Sequence, residues 1–102
     1  MPEFIRVASV NDVTEGRGHL VEVNGKRIGV YRLGDEYHAI DDHCPHADAS
    51  LCDGDISDGE VACPLHFATF EIRTGRCTAP PADDDLATYQ VLVKGDDIEL
   101  AL

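Results

Sequence analysis

Cys44-Pro45-His46-Ala47-Asp48-Ala49-Ser50-Leu51-Cys52-Asp53-Gly54-Asp55-Ile56-Ser57-Asp58-Gly59-Glu60-Val61-Ala62-Cys63-Pro64-Leu65-His66 is the stretch around which the rest of the chain is organised. It holds two short metal-ligand pairs, C-x-H at Cys44 and His46 and C-x-x-H at Cys63 and His66, with 16 residues between His46 and Cys63. Side chains of an extended backbone alternate in direction, so an extended C-x-H turns both donors to one face. Pro45 fixes φ and removes an N–H, which stiffens the loop. C-x-x-H in a turn likewise converges its first and last side chains. Each loop offers one thiolate and one imidazole, and two such loops face to face suit a [2Fe-2S] cluster with two Cys on one iron and two His on the other.

Charge favours electron transfer at such a site. Two ferric ions, two sulfides and two thiolates sum to zero, so the oxidised site is neutral and the reduced site carries one negative charge. Replacing two Cys by two His removes negative charge from one iron and raises the potential relative to a Cys₄ cluster. Three other readings compete. A structural zinc site with two Cys and two His is chemically open, although zinc spacing usually groups Cys with Cys and His with His. A Cys₄ cluster from Cys44, Cys52, Cys63 and Cys77 leaves gaps of 7, 10 and 13 residues, unlike the C-x₄-C-x₂-C ferredoxin pattern. A Cys–His nucleophilic enzyme leaves the second pair without a role.

The chain is 102 residues long, the size of one domain, and its 43% hydrophobic content fits a folded core. No run approaches the roughly 18 apolar residues of a membrane span. Met1-Pro2-Glu3-Phe4-Ile5-Arg6 lacks a basic head and apolar run, so no signal peptide is expected and the expected location is cytoplasmic. There, four cysteines point to metal ligands or buried thiols rather than a disulfide framework. A net charge of −12 argues against nucleic acid as a partner. No Lys or Arg lies between Gly34 and Ile72, while Asp35, Glu36, Asp41, Asp42, Asp48, Asp53, Asp55, Asp58, Glu60 and Glu71 do. These acids are either a solvated surface or a face that steers a basic partner protein toward the ligand loops.

Short β-rich runs divided by turns indicate an all-β sandwich or barrel. Strands are expected at Phe4–Ala8, His19–Val23, Arg27–Leu33, Glu36–Ile40, Glu60–Ala62, Thr69–Arg73, Ala87–Val93 and Asp97–Leu102. Val10–Val13 reads as a turn, Asn24-Gly25 as a hairpin turn, and Gly95-Asp96 as the turn of a closing hairpin. No 11-residue window shows helical periodicity. Residues 1–102 are then a single domain, with a cluster-binding subdomain over about 41–82 inserted between strands of the base.

Cys44-Pro45-His46, Leu51-x-x-Gly54, Cys63-Pro64-Leu65-His66, Phe70, Thr74-Gly75 and Pro80-Pro81 resemble a Rieske iron–sulfur protein, of the small soluble ferredoxin type found in bacterial aromatic-ring dioxygenase systems. The similarity runs over essentially the whole chain, including Tyr37-x-Ala39-Ile40 and Tyr89-x-Val91. It implies a β-sandwich base with a cluster-binding subdomain at one end, Cys44 and Cys63 on the buried iron, and His46 and His66 on the outer iron. It also implies a proline loop near Pro80-Pro81 covering the cluster. Rieske proteins of respiratory cytochrome complexes carry a disulfide between the ligand loops; the corresponding positions here are Ala49 and Leu65, so that bridge cannot form. Where those relatives place Ser and Tyr donors to the sulfurs, this chain has Ala68 and Phe70. Fewer donors leave the reduced state less stabilised, so the expected potential is low for a Rieske cluster.

The implied function is that of a one-electron carrier, not itself an enzyme, passing electrons from a flavin-dependent reductase to a terminal oxygenase. The carrier is expected to be a monomer that docks transiently. The alternatives are a Rieske-like small subunit of a nitrite reductase or other multi-subunit oxidoreductase, and a zinc-stabilised structural domain. Among the remaining candidates, His43 points away from the ligand face, and His19 and His38 are ordinary strand residues. Cys52 and Cys77 are small buried or half-buried side chains. Phe67 either shields the His66 edge or joins a docking surface.

Overall fold

The computed structural model describes residues 3–44, 49–65, 68–79 and 85–102. Among them the regular elements are eleven strands and two short 3₁₀ turns. The strands are β1 (Phe4–Ser9), β2 (His19–Val23), β3 (Lys26–Leu33), β4 (Glu36–Asp41), β5 (Ile56–Ser57), β6 (Glu60–Ala62), β7 (Thr69–Glu71), β8 (Cys77–Ala79), β9 (Thr88–Tyr89), β10 (Val91–Lys94) and β11 (Asp97–Ala101). They form three antiparallel sheets in the orders β1-β11-β10, β2-β3-β4-β9 and β5-β6-β7-β8. The all-β fold class follows.

Two hairpins rest on the same local chemistry. Asn24-Gly25 joins β2 to β3 and Asp58-Gly59 joins β5 to β6, with φ of 53° and 78° in both pairs. Positive φ at both central positions is the requirement of the tight hairpin turn, which Asn-Gly and Asp-Gly meet best. Before β2, Ser9 caps the 3₁₀ turn Val10–Asp12 through a capping box with Asp12.

The middle sheet is buried on both faces, because β3 and β4 alternate between two cores. Ile28, Val30 and Ala39 join Val13, Val21, Ile98 and Leu100 on the side of the first sheet. Tyr31 and Ile40 face the other way and pack with Leu51, Val61, Phe70, Ile72 and Leu86 against the third sheet. Period-two alternation thus divides one strand's residues between two hydrophobic layers. Across the third sheet, cross-strand partners Ile56, Val61, Phe70 and Cys77 form a row packed into this second core.

The sheets depart from the expected strands in three places. The run Ala87–Val93 is not one strand: Thr88 and Tyr89 pair with β4, then the chain crosses to the first sheet, where Val91–Lys94 pairs with β11. Thr69–Arg73 ends at Glu71, because Ile72 and Arg73 enter a turn closed by the Gly75 N–H on the Glu71 carbonyl, 2.7 Å. The two-residue β5 and the three-residue β8 are additional strands, too short to show an alternating pattern. Pro80-Pro81 lies outside the described residues.

Gly54 packs against backbone: a Cβ there would collide with the Ala62 carbonyl oxygen. Its φ of −86° is open to any residue, so the requirement is for space alone. Gly54→Ala is expected to destabilise the protein by about 1–3 kcal/mol, measured as a lower midpoint of urea unfolding. An unchanged midpoint would show that this approach of the two segments is loose.

Candidate metal centre

Cys44 follows β4 and Cys63 follows β6, and the loops they begin close in the same way. The Cys44 N–H donates to the Ala49 carbonyl at 3.1 Å, and the Cys63 N–H donates to the Ala68 carbonyl at 2.8 Å. Four residues separate donor and acceptor residues in each loop. The stems below are also in register. His43 bridges Ser50 as Ala62 pairs with Thr69, and Asp42 lies opposite Leu51 as Val61 lies opposite Phe70. The closures and stems of the two loops are therefore equivalent, each with a Cys at the first position after its stem.

Both cysteines are fully buried and belong to one apolar cluster with Tyr31, Ile40, Leu51, Val61, Ala68, Phe70, Ile72 and Leu86. Gly54 brings the exit of the first loop onto the strand entering the second, and the Ala62 N–H donates to the Asp55 carbonyl at 2.9 Å. Thiolates in a dry apolar core are costly unless a metal neutralises them. The donor set thus fits a group that takes two thiolate charges and ends neutral, as an oxidised [2Fe-2S] cluster does. His46 and His66, the expected imidazole donors, lie outside the described residues, as do Pro45, Asp48 and Phe67.

The substitutions read as missing supports have definite positions. Ala68 and Phe70 are fully buried in the shared core, where neither side chain can donate to a sulfur. Ala49 packs against that core, and Leu65 is 60% exposed.

Cys52 and Cys77 pack against the cluster that holds Cys44 and Cys63. Cys52 is half-buried; the Tyr31 hydroxyl donates to its sulfur at 3.8 Å. Burial, with the Asp42 carboxylate beside it, pushes the Cys52 thiol far above its ordinary range, which keeps it protonated. The Cys77 thiol, also half-buried, donates to the Ala79 carbonyl at 3.4 Å. His43 is exposed, His19 is half-buried in β2, and His38 meets Glu36 at 2.9 Å. Tyr89 donates to Asp41 at 2.6 Å, and burial together with that bond lifts its hydroxyl to about 12.

The acidic stretch is less uniform than its composition. Asp42 is fully buried and belongs to no surface, and Glu36 is paired with Arg73 at 3.0 Å. Asp35, Asp53, Asp55 and Asp58 remain exposed. Asp53 and Asp55 line a cleft with Gly54, Ala62, Cys63 and Pro64, beside the second loop. Sequence reading missed the burial of Asp42, since it looks like any other acid in the run. Its position two residues before Cys44 is the available hint.

Residues 3–90 match the model of the Rieske [2Fe-2S] domain. The chain is 39% identical over 99 residues to the 3-phenylpropionate/cinnamic acid dioxygenase ferredoxin subunit of Escherichia coli (strain K12), covering 96% of this chain and 92% of that one. The ferredoxin of carbazole 1,9a-dioxygenase from Nocardioides aromaticivorans IC177 superposes with a TM-score of 0.91 at 36% identity, covering 96% of both chains. A chain from a complex of reduced oxygenase and oxidised ferredoxin in carbazole 1,9a-dioxygenase superposes at 0.89 with 30% identity, covering 96% of this chain and 92% of that one. Likeness to nitrite reductase small subunits stays at 22–23% identity and is one of fold. The family's cofactor is a [2Fe-2S] cluster, which displaces zinc as the group this site serves. With two equivalent loops, two cysteines sharing one core and a match over most of its length, the chain belongs to the Rieske [2Fe-2S] domain family.

Proposed function

We propose that Cys44, His46, Cys63 and His66 hold the [2Fe-2S] cluster, the cysteines on its inner iron and the histidines on its outer one. The protein is then a one-electron carrier between a flavin-dependent reductase and a terminal oxygenase. The observation that carries this reading is the burial of Cys44 and Cys63 in one core, at the starts of two loops with the same closure. The bound cluster supplies reversible storage of a single electron. The surrounding residues exclude water from the inner side, through Leu51, Phe70 and Ile72, all fully buried. A cytoplasmic location is consistent with thiolate ligands, and among the described residues no helix is long and apolar enough to cross a membrane.

The related ferredoxins are named for dioxygenases, which supports an oxygenase as the electron's destination. Leu65 is exposed and follows directly on Cys63 and Pro64, which share a cleft with Asp53 and Asp55, so this end of the molecule offers an apolar side chain and exposed acids. Such a surface suits a weak complex under roughly 1,200 Å² with a basic partner.

Four outcomes are expected. The purified protein should be red-brown and give a low-average-g EPR signal after dithionite; a colourless protein containing zinc would overturn the assignment. His66→Cys should retain a cluster with an altered spectrum and a lower potential. Because the side chains of Ala68 and Phe70 offer no hydrogen-bond donor, protein-film voltammetry should place the wild type near the bottom of the Rieske range of roughly −150 to +300 mV; a value well above zero contradicts that argument. Raising ionic strength should slow reduction by the reductase, and Asp53→Asn with Asp55→Asn should remove most of that salt dependence. Rates that do not respond to salt would rule out the exposed acids as a guide.

A further inference from the structure

The two ligand loops share a register but not a foundation. Below Cys63 the stem is a regular ladder: Ala62 pairs with Thr69, Val61 with Phe70 and Glu60 with Glu71, flanked by β5 and β8. Below Cys44, among the described residues, the pairing between the two arms of the loop is the single His43–Ser50 bridge. At the position equivalent to Val61 stands Asp42, fully buried, with its charge in place of an aliphatic side chain. Its carboxylate replaces the missing ladder. One oxygen accepts from the Ser50 hydroxyl at 2.6 Å, and the other from the Cys52 backbone N–H at 3.0 Å. Its main chain continues the same clamp, since the Leu51 N–H donates to the Asp42 carbonyl at 2.9 Å and the Asp42 N–H donates to the Arg27 carbonyl at 3.1 Å. The half-exposed Arg27 guanidinium lies 3.4 Å from the Ser50-bonded oxygen and supplies the countercharge.

Resting on the reading that Cys44 is a cluster ligand, we propose that Asp42 is a positioning residue for the centre. It closes the first loop as strand pairing closes the second, and so sets where Cys44 presents its sulfur. A buried carboxylate satisfied by a hydroxyl, an amide and a guanidinium is held in one orientation, because losing any donor leaves charge in an apolar core. The effect expected of Asp42 is therefore a fixed loop geometry, on which the spectrum and stability of the centre depend.

The test compares cluster-loaded Asp42→Asn and Ser50→Ala with Ile98→Val, which lies in the other core. In Asp42→Asn the EPR g values of the reduced protein and its midpoint potential should shift, and cluster loss to EDTA should accelerate about tenfold or more. Ser50→Ala should shift the g values and speed cluster loss to a smaller extent. Ile98→Val should lower the thermal midpoint and leave g values and potential unchanged. Unchanged g values and potential in Asp42→Asn, or the same changes in Ile98→Val, would overturn the inference. If Asp42→Asn does not fold, Ser50→Ala decides by the same readouts, a wild-type spectrum and loss rate counting against the clamp. A wild-type protein with no Rieske EPR signal would overturn the cluster reading, and this inference with it.

Discussion

Two cysteines nineteen positions apart must start their loops from the same dry core, and the architecture follows from that constraint. Burying Cys44 and Cys63 together requires an apolar wall on each side. The middle sheet supplies one wall with Tyr31 and Ile40, and the third sheet supplies the other with Val61 and Phe70. The middle sheet is itself covered on its far face by the first sheet through Ile98 and Leu100. Each layer therefore steadies the next, and the first sheet supports the centre through the middle sheet.

The equivalence of the two loops shows how one local solution serves twice with different backing. The second loop is the end of a hairpin in a four-stranded sheet, so its geometry comes from backbone pairing. The first leaves the end of β4 and returns to a 3₁₀ turn at Leu51–Asp53, where few ladder bonds are available. A buried carboxylate is a costly substitute for an aliphatic residue, and here it is satisfied on both oxygens. The compensation is directional, since hydrogen bonds orient a loop where apolar packing alone would leave it free to slide.

Electrostatics divides the acids of the central stretch into separate roles. Asp42 is structural, Asp41 accepts from Tyr89, Glu71 accepts from the Thr74 hydroxyl, and Glu36 pairs with Arg73. Exposed pairs of that kind contribute little to stability. Asp53 and Asp55 are left facing solvent beside the second loop, where charge influences the rate of encounter more than the strength of a complex.

Much of this was legible in the residues themselves. The mixed Cys–His spacing pointed to the [2Fe-2S] cofactor of the family. The Asn24-Gly25 turn determined a hairpin, because both signals act within a few residues along the chain. Asp58-Gly59 carried the same hairpin signal, though flanked by strands too short to display an alternating pattern. Tertiary structure alone decided three things: that Thr88–Lys94 divides between two sheets, that Asp42 is buried among neighbours from β3 and the 51–53 turn, and which acids remain at the surface. Each depends on what distant strands place opposite a residue. An aspartate reads the same in sequence whether it meets water or the hydroxyl of Ser50.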